Sequence, residues 1–190
     1  MAEQIKSLND FYNLLSTTPP RLSHQYQVLL FPPETINNKA KSILNNVSYF
    51  CTSATVPGRG LEVAELTYFG MKFSVPRIIK LENTIKLSFW TDRDSSLRNA
   101  MIDWSSVHAN LDRKTGIQNS NLGGVKTIPS SSIELHLLNE QLDSVIEIYK
   151  LYGVFPTEVG SFEVKQEGAD IVNFDVNFVY QYYTIDNKTE

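Results

Sequence analysis

The strongest pattern in the chain is a strict alternation of apolar and polar residues near its C-terminal end. Over residues 171–183, the apolar positions carry Val172, Phe174, Val176, Phe178, Tyr180 and Tyr182. The intervening positions carry Asn173, Asp175, Asn177 and Gln181. Successive side chains of a β-strand point to opposite faces, so this run predicts one long strand with a buried face and a polar face. Residues 84–90 alternate in the same way and predict a second such strand.

Other segments predict a mainly β chain. Residues 25–31, 47–52, 131–138 and 145–152 are typical of strands, separated by a polar loop at 32–46 and an acidic one at 139–144. Residues 62–75 predict a hairpin that turns at Gly70 and ends at Pro76. Its apolar residues Met71, Phe73 and Val75 should face the core. Residues 153–160 predict a compact turn.

One helix is predicted in the middle of the chain, over residues 96–111. Its apolar stripe consists of Leu97, Met101, Trp104, Val107, His108 and Leu111. Asp94 and Ser95 precede it as candidate caps. A shorter amphipathic helix is predicted before Pro19, and the glycine-containing residues 112–129 predict an exposed loop. The fold class that follows is an antiparallel β-sandwich or barrel with a flanking α-helix, in one domain.

Composition excludes several classes of function. The chain has 190 residues and a formal net charge of −4, which argues against tight binding of nucleic acid because phosphate contacts need clustered Lys and Arg. No apolar run approaches the roughly 20 residues that span a bilayer, so no membrane insertion is expected. The first ten residues do not resemble a signal peptide, and the single cysteine fits a reducing compartment. Assembly in the cytoplasm is expected.

The residues offer no convincing catalytic or metal site. His24, His108 and His136 are scattered and lack metal-ligand spacing. Cys51 shares a predicted strand face with Val47 and Tyr49, which indicates a core position rather than a nucleophile. The glycines at 123–124 lack the immediately following lysine and the helix of a phosphate-binding loop. We therefore expect no enzyme activity, no metal and no cofactor.

What remains is a surplus of amphipathic sheet. The hairpin and the polar faces of residues 84–90 and 171–183 exceed what one small core needs, and free strand edges invite pairing between chains. Two interpretations stay open from the residues alone: a sandwich with an ordinary solvated face, and a subunit that assembles with copies of itself.

Four segments together resemble a known family. They are residues 20–29 (PRLSHQYQVL), 51–58 (CTSATVPG), 99–105 (NAMIDWS) and 146–160 (IEIYKLYGVFPTEVG), followed by the closing strand at 171–183. In this order and spacing they resemble the tail tube proteins of contractile-tailed bacteriophages. The resemblance covers residues 20–184 and divides the chain into an N-terminal helical extension (1–20), a tail tube domain (21–184) and a C-terminal tail (185–190). The loops at 37–46 and 113–129 depart from the family.

The resemblance implies a structural virion protein. It implies a two-sheet sandwich with a flanking helix, six copies of which close into a ring, with rings stacked into a hollow tube through which DNA passes. The implied partners are other copies of the chain, the tail sheath, the tape measure protein, and the baseplate and tail-terminator proteins. The implied location is the virion tail, after assembly in the host cytoplasm. Alternatives of the same fold are a baseplate tube-initiator, a tail-terminator and a bacterial secretion-tube ring protein.

In the family, the hairpin and the closing strand resemble the strands of the inner barrel. The resemblance therefore makes their polar residues candidates for the channel wall or for contacts between subunits. These candidates are Glu62, Lys72, Ser74, Asn173, Asp175 and Asn177.

Overall fold

The computed structural model of the protein describes residues 8, 12, 13, 16, 20–111, 118–120, 130–164 and 171–187. The helices are α1 (Asn38–Leu44) and α2 (Ser96–His108), with a 3₁₀ turn at Val47–Tyr49. The strands are β1 (Tyr26–Phe31), β2 (Cys51–Ala54), β3 (Arg59–Tyr68), β4 (Met71–Leu81), β5 (Thr84–Trp90), β6 (Ala109–Leu111), β7 (Gln118–Ser120), β8 (Ser132–Leu138), β9 (Val145–Tyr152), β10 (Phe155–Val159), β11 (Asn173–Val179) and β12 (Tyr182–Asn187).

Two antiparallel four-stranded sheets form the body of the protein. Sheet I has the strand order β1-β8-β9-β12, and sheet II has the order β10-β11-β5-β2. Their buried residues, among them Val28, Leu135, Leu87 and Phe174, belong to a single hydrophobic core. The predicted mainly β fold with antiparallel sheets and a flanking helix is confirmed.

Both helices pack on this core. The ring centroid of Trp104 in α2 lies 5.5 Å from that of Phe178 in β11, and Trp104 is fully buried. Helix α1 packs beside α2 and buries Ala40 and Leu44. Helix α2 ends at His108, and Leu111, which the sequence placed in the helix, lies in β6. The cap is also different from the predicted one, because the carboxylate of Asp92 accepts hydrogen bonds from the backbone N–H groups of Ser96 (3.0 Å) and Leu97 (3.1 Å).

The region before β2 was predicted wrongly. Residues 32–46 contain α1 rather than only a loop, and the side chain of Asn37 caps it by accepting from Lys39 N. Residues 47–52 do not form a strand from Val47, because a 3₁₀ turn precedes β2. Tyr49 is consequently exposed while Val47 is buried, so the shared face assumed for Cys51 does not exist. Cys51 itself is half-buried.

Two predictions in the C-terminal half were also wrong. The compact turn at 153–160 is largely strand β10, whose edge position in sheet II tolerates Pro156. The single strand at 171–183 is two strands in different sheets. The chain leaves β11 at Tyr180, whose N–H donates to Asn83 O, and enters sheet I at Gln181, whose N–H donates to Tyr152 O.

Two further predictions fall partly outside the described residues. Of the loop predicted at 112–129, residues 118–120 are described, and they form β7, which pairs with β6. The remainder of that loop lies outside the described residues. Of the predicted N-terminal helix, the described residues Leu8, Tyr12, Asn13 and Ser16 are helical. No helix in the described part of the chain combines the length and hydropathy needed to cross a bilayer.

Candidate self-assembly surfaces

A long two-stranded hairpin formed by β3 and β4, here called the arm, pairs with neither sheet. The two strands pair from Arg59↔Leu81 to Tyr68↔Met71, with one change of register. A bulge skips Arg77, so Val63 faces Pro76 while Glu62 faces Ile78. The arm is therefore longer than predicted, and Pro76 lies inside β4. Proline is compatible with this position because the arm has two edges, where an N–H need not enter a ladder.

The arm exposes large apolar side chains on both of its faces. They are Leu61, Val63, Leu66, Tyr68, Phe69, Met71, Phe73, Val75, Ile78 and Ile79. The prediction that Met71, Phe73 and Val75 face the core is wrong for the single chain, in which 41–61% of each side chain is exposed. An isolated two-stranded hairpin is only marginally stable in water, and a contiguous exposed apolar surface marks an interaction site. The arm thus needs a partner to cover it.

Three of the candidate residues lie on the arm. Lys72 and Ser74 share one face, together with Glu65, whose carboxylate lies 3.6 Å from Lys72 Nζ. Alternation along β3 places Glu62 on the opposite face, with Leu66 and Tyr68. The arm candidates therefore do not form one polar surface.

The other three candidates, Asn173, Asp175 and Asn177, lie together on the outward face of sheet II. Their strand neighbours Phe174, Val176 and Phe178 are buried on the opposite face. Asn177 Nδ2 donates to Glu158 Oε2 in β10 (2.8 Å). The sequence grouped these residues correctly, although it did not reveal which partners on β5 and β10 they contact.

Asp175 is the centre of the charge pattern on this face. Its carboxylate accepts a hydrogen bond from Ser88 Oγ (2.6 Å) and pairs with Lys86 Nζ (2.6 Å), both on the adjacent strand β5. The hydrogen bond from Lys86 and, to a smaller extent, the one from Ser88 stabilise the ionised carboxylate and hold the pKa of Asp175 below its ordinary value. The alternation of residues 84–90 had already placed Lys86 and Ser88 on a polar face, but only the strand order of the fold brings them to Asp175.

The outward face of sheet I carries a different pattern. Cross-strand pairing places four residues in one row, namely Phe31, Ser132, Tyr152 and Tyr182. The rings of Tyr152 and Tyr182 are stacked, with their centroids 4.8 Å apart. In the next row Glu134 Oε1 lies 2.7 Å from Lys150 Nζ, and its other oxygen lies 3.0 Å from His136 Nε2. Burial alone would raise the pKa of Glu134, but the hydrogen bonds from Lys150 and His136 outweigh it and lower that pKa.

The histidines and the cysteine show no catalytic arrangement in the described residues. The ring of His108 packs against Phe155 with centroids 5.4 Å apart, and burial lowers the pKa of His108. Burial raises the pKa of the Cys51 thiol to about 11, which is the opposite of what activates a nucleophile. Among the described residues, no group of three His, Cys, Asp or Glu side chains is placed to hold a metal ion.

The arm and the polar face of sheet II are surfaces that suit contacts with other molecules. Comparison of the sequence with known families identifies the family. Residues 21–186 match the family model for the phage tail tube protein. The chain belongs to the phage tail tube protein family. Its role is therefore structural, as a component of a virion tail. No curated protein matches the chain significantly.

Solved structures show the same fold in tail-like injection machines. One similar chain comes from the sheath-tube complex of the extracellular contractile injection system PVC in its extended state. It superposes on this tail tube chain with a TM-score of 0.58 and 14% sequence identity, and the match covers 92% of this chain and 97% of that chain. A chain of the anti-feeding prophage tube terminating cap matches with a TM-score of 0.58 and 19% sequence identity, over 90% of this chain and 93% of that chain. A chain of the 6-fold symmetrised anti-feeding prophage baseplate matches with a TM-score of 0.55 and 12% sequence identity, over 90% of this chain and 97% of that chain.

Proposed function

We propose that this tail tube protein is the repeating subunit of the tube itself. Six copies close each ring, rings stack into a hollow tube, and phage DNA passes through the channel during ejection. The observation that carries this proposal is the arm, whose exposed apolar residues on both faces require cover that a single copy does not supply. The six-fold symmetry of the structurally similar baseplate supports the ring size.

A heterologous contact explains how such an arm is tolerated. Each copy offers its arm to one neighbour and receives an arm from another, and a ring closed in this way leaves no lateral arm uncovered. The free edges of sheet II, β2 and β10, allow the same ring to continue its sheets from copy to copy. Uncontrolled aggregation is then limited because the arm and both edges of sheet II find defined partners.

The outward face of sheet II is the proposed channel wall. It carries Asn173, Asp175 and Asn177, and its lysine, Lys86, is paired with Asp175. Free lysines in the wall would bind the DNA phosphates, displace their counterions and so hold the DNA in place. A lysine that is already paired with a carboxylate does not do this, so DNA can slide along the wall. Glu62, Lys72 and Ser74 lie instead on the arm, where we propose that they contribute to contacts between subunits.

The proposed partners follow from this role. They are further copies of the chain, the tail sheath around the tube, the tape measure protein inside it, and the baseplate and tail-terminator proteins at its ends. The structurally similar proteins are parts of a sheath-tube complex, a cap and a baseplate, which supports such contacts. We propose that the protein acts through these surfaces without catalysis, and that it assembles in the host cytoplasm.

Electron microscopy of the purified protein over a range of concentrations tests the proposal. A tube subunit binds copies above and below each ring, so we expect hollow tubes whose length grows with concentration. A tube-initiator or tail-terminator has only one such surface. Single rings or pairs of rings that never lengthen would therefore favour that alternative, and a monomer at every concentration would contradict a ring-forming role.

A further inference from the structure

The tip of the arm carries an aromatic residue that does not suit its backbone position. Phe69 and Gly70 are the two turn residues, with φ values of 48° and 78°. Positive φ at both positions is the geometry of a type I′ turn, for which Asn-Gly is favoured and a bulky residue is unfavourable. Phe69 is also 85% exposed. The local structure gives the ring only an edge-to-face contact with the adjacent Tyr68, with centroids 4.5 Å apart, and leaves most of it in solvent. A phenylalanine at this strained position therefore suits a ring that contacts another molecule.

A groove of complementary character lies at the other end of the arm. It has a volume of about 550 Å³ and opens between β1 and β2, the edge strands of the two sheets. Its apolar lining comes from Leu22, Tyr26, Ala54, Val56, Leu135 and Leu137. The rest of its lining is polar and comes from Arg21, Ser23, Gln25, Thr52 and Ser53. The Arg21 guanidinium lies 3.7 Å from a carboxylate oxygen of Glu147, and its planar face can stack on an aromatic ring.

The tip cannot reach the groove of its own chain. Val56 in the groove precedes β3 by only three residues, while Phe69 follows the last of the ten residues of β3. At a rise of about 3.3 Å per residue, the fully paired arm holds its tip roughly 30 Å from its base. Any groove that receives this tip therefore belongs to another copy.

We propose that Phe69 inserts into the β1–β2 groove of a second copy and is the anchor of the contact between subunits. This inference rests on the proposed tube function and specifies the contact that builds it. It is a heterologous contact, with the tip as donor and the groove as acceptor, so it propagates from copy to copy. A ring buried in such a groove has the character of an interface hot spot, which is an aromatic side chain in a desolvated pocket.

Disulfide trapping tests the contact directly. Met71→Cys, which lies beside the turn and leaves the Phe69 ring in place, and Val56→Cys are made in separate chains, each with Cys51→Ser, and the two are mixed under assembly conditions and oxidised. We expect an intermolecular disulfide between the two variants. In the matched control, Tyr49→Cys replaces Val56→Cys, since Tyr49 is also highly exposed (80%) but is not among the groove residues. Equal trapping by the control, or only tip-to-tip disulfides between Met71→Cys chains, would overturn the proposal.

A second variant separates loss of the anchor from loss of the fold. Phe69→Asn gives the turn its favoured residue, so the monomer should keep its melting temperature, while the concentration needed for assembly should rise about tenfold or more. Tyr49→Asn is the control and should leave that concentration unchanged. Unimpaired assembly of Phe69→Asn would exclude the anchor role. If the wild-type protein forms tubes and trapping fails, the docking inference alone is wrong; if the wild-type protein forms no rings or tubes, the proposed function itself is wrong.

Discussion

Lys86 Nζ lies 2.6 Å from Asp175 Oδ2 and joins the two central strands of sheet II across its outward face. Ser88 Oγ donates to the second carboxylate oxygen of Asp175 at 2.6 Å. This arrangement keeps Asp175 ionised and neutralises the lysine that the face would otherwise present. It links a local ion pair to the proposed function, because the same face is the one we assign to the channel.

The ion pair should make stability depend on pH in a defined direction. The folded pKa of Asp175 is lowered, so its contribution is present above the ordinary carboxyl range near pH 4 and is lost as the pH falls through the folded pKa. Asp175→Asn should therefore be less stable than wild type at pH 7 by at most about 1 kcal/mol, because the pair is about half exposed. Urea unfolding should show this difference shrink at low pH. A difference that stays constant with pH would contradict the ion-pair account.

Reversing the charge of Asp175 should affect passage of DNA more than folding. Asp175→Lys places a second cation beside Lys86, and we expect it to cost about 1 kcal/mol or less at this partly exposed site. Each ring would then carry a lysine-rich channel that holds DNA. Ejection from phage carrying the variant should slow. Glu34→Lys, the same reversal of charge at an exposed turn, should not slow it. Failure of Asp175→Lys to fold would show that the outward face has been assigned wrongly.

Trp104 should be the most costly side chain of α2 to remove. It is fully buried against Phe178, so Trp104→Ala should lower the free energy of unfolding by about 3–5 kcal/mol through the cavity it leaves. Trp104→Phe should cost clearly less, since it keeps a ring against Phe178 and removes an indole N–H that has no hydrogen-bond partner in the described structure. Chemical denaturation measures both. An unchanged stability for Trp104→Ala would contradict the packing of α2 on sheet II.

The cap of α2 can be tested with a pair of neighbouring aspartates. Asp92 accepts hydrogen bonds from Ser96 N and Leu97 N, so Asp92→Ala should destabilise the protein by about 1 kcal/mol. Asp94→Ala, at the position that the sequence pattern favoured, should change stability by less than about 0.5 kcal/mol. Thermal unfolding of the two variants compares them. A larger loss of stability for Asp94→Ala than for Asp92→Ala would contradict the observed cap and support the one predicted from sequence.

The sequence predicted the fold class because its strands alternate clearly. Strands β5 and β8 were located closely, since every second residue of each is buried. Strand β9 was also located closely. Helix α1 was missed because asparagines and lysines masked a short apolar spacing that Ala40, Ile43 and Leu44 carry. The break between β11 and β12 could not be seen, because alternation continues unchanged through Tyr180 while the backbone moves from one sheet to the other.

The candidate site was predicted in part for a similar reason. A polar face follows from alternation, so Asn173, Asp175 and Asn177 were grouped from sequence alone. Their contacts with Lys86 and Glu158 depend on strand order, which is a property of the whole fold. The arm was located but its burial was predicted wrongly, because an alternating strand that awaits a partner subunit has the same pattern as one that covers its own core.

Removal of the arm tip tests the central claim most directly, namely that this protein functions through assembly by its arm. Deleting residues 66–73 removes the tip but none of the buried core, so the single chain should still fold with a similar melting temperature. Electron microscopy should show hollow tubes for the wild-type protein and only dispersed subunits for the deletion variant at the same concentration. Tubes of normal width formed by the deletion variant would contradict the account.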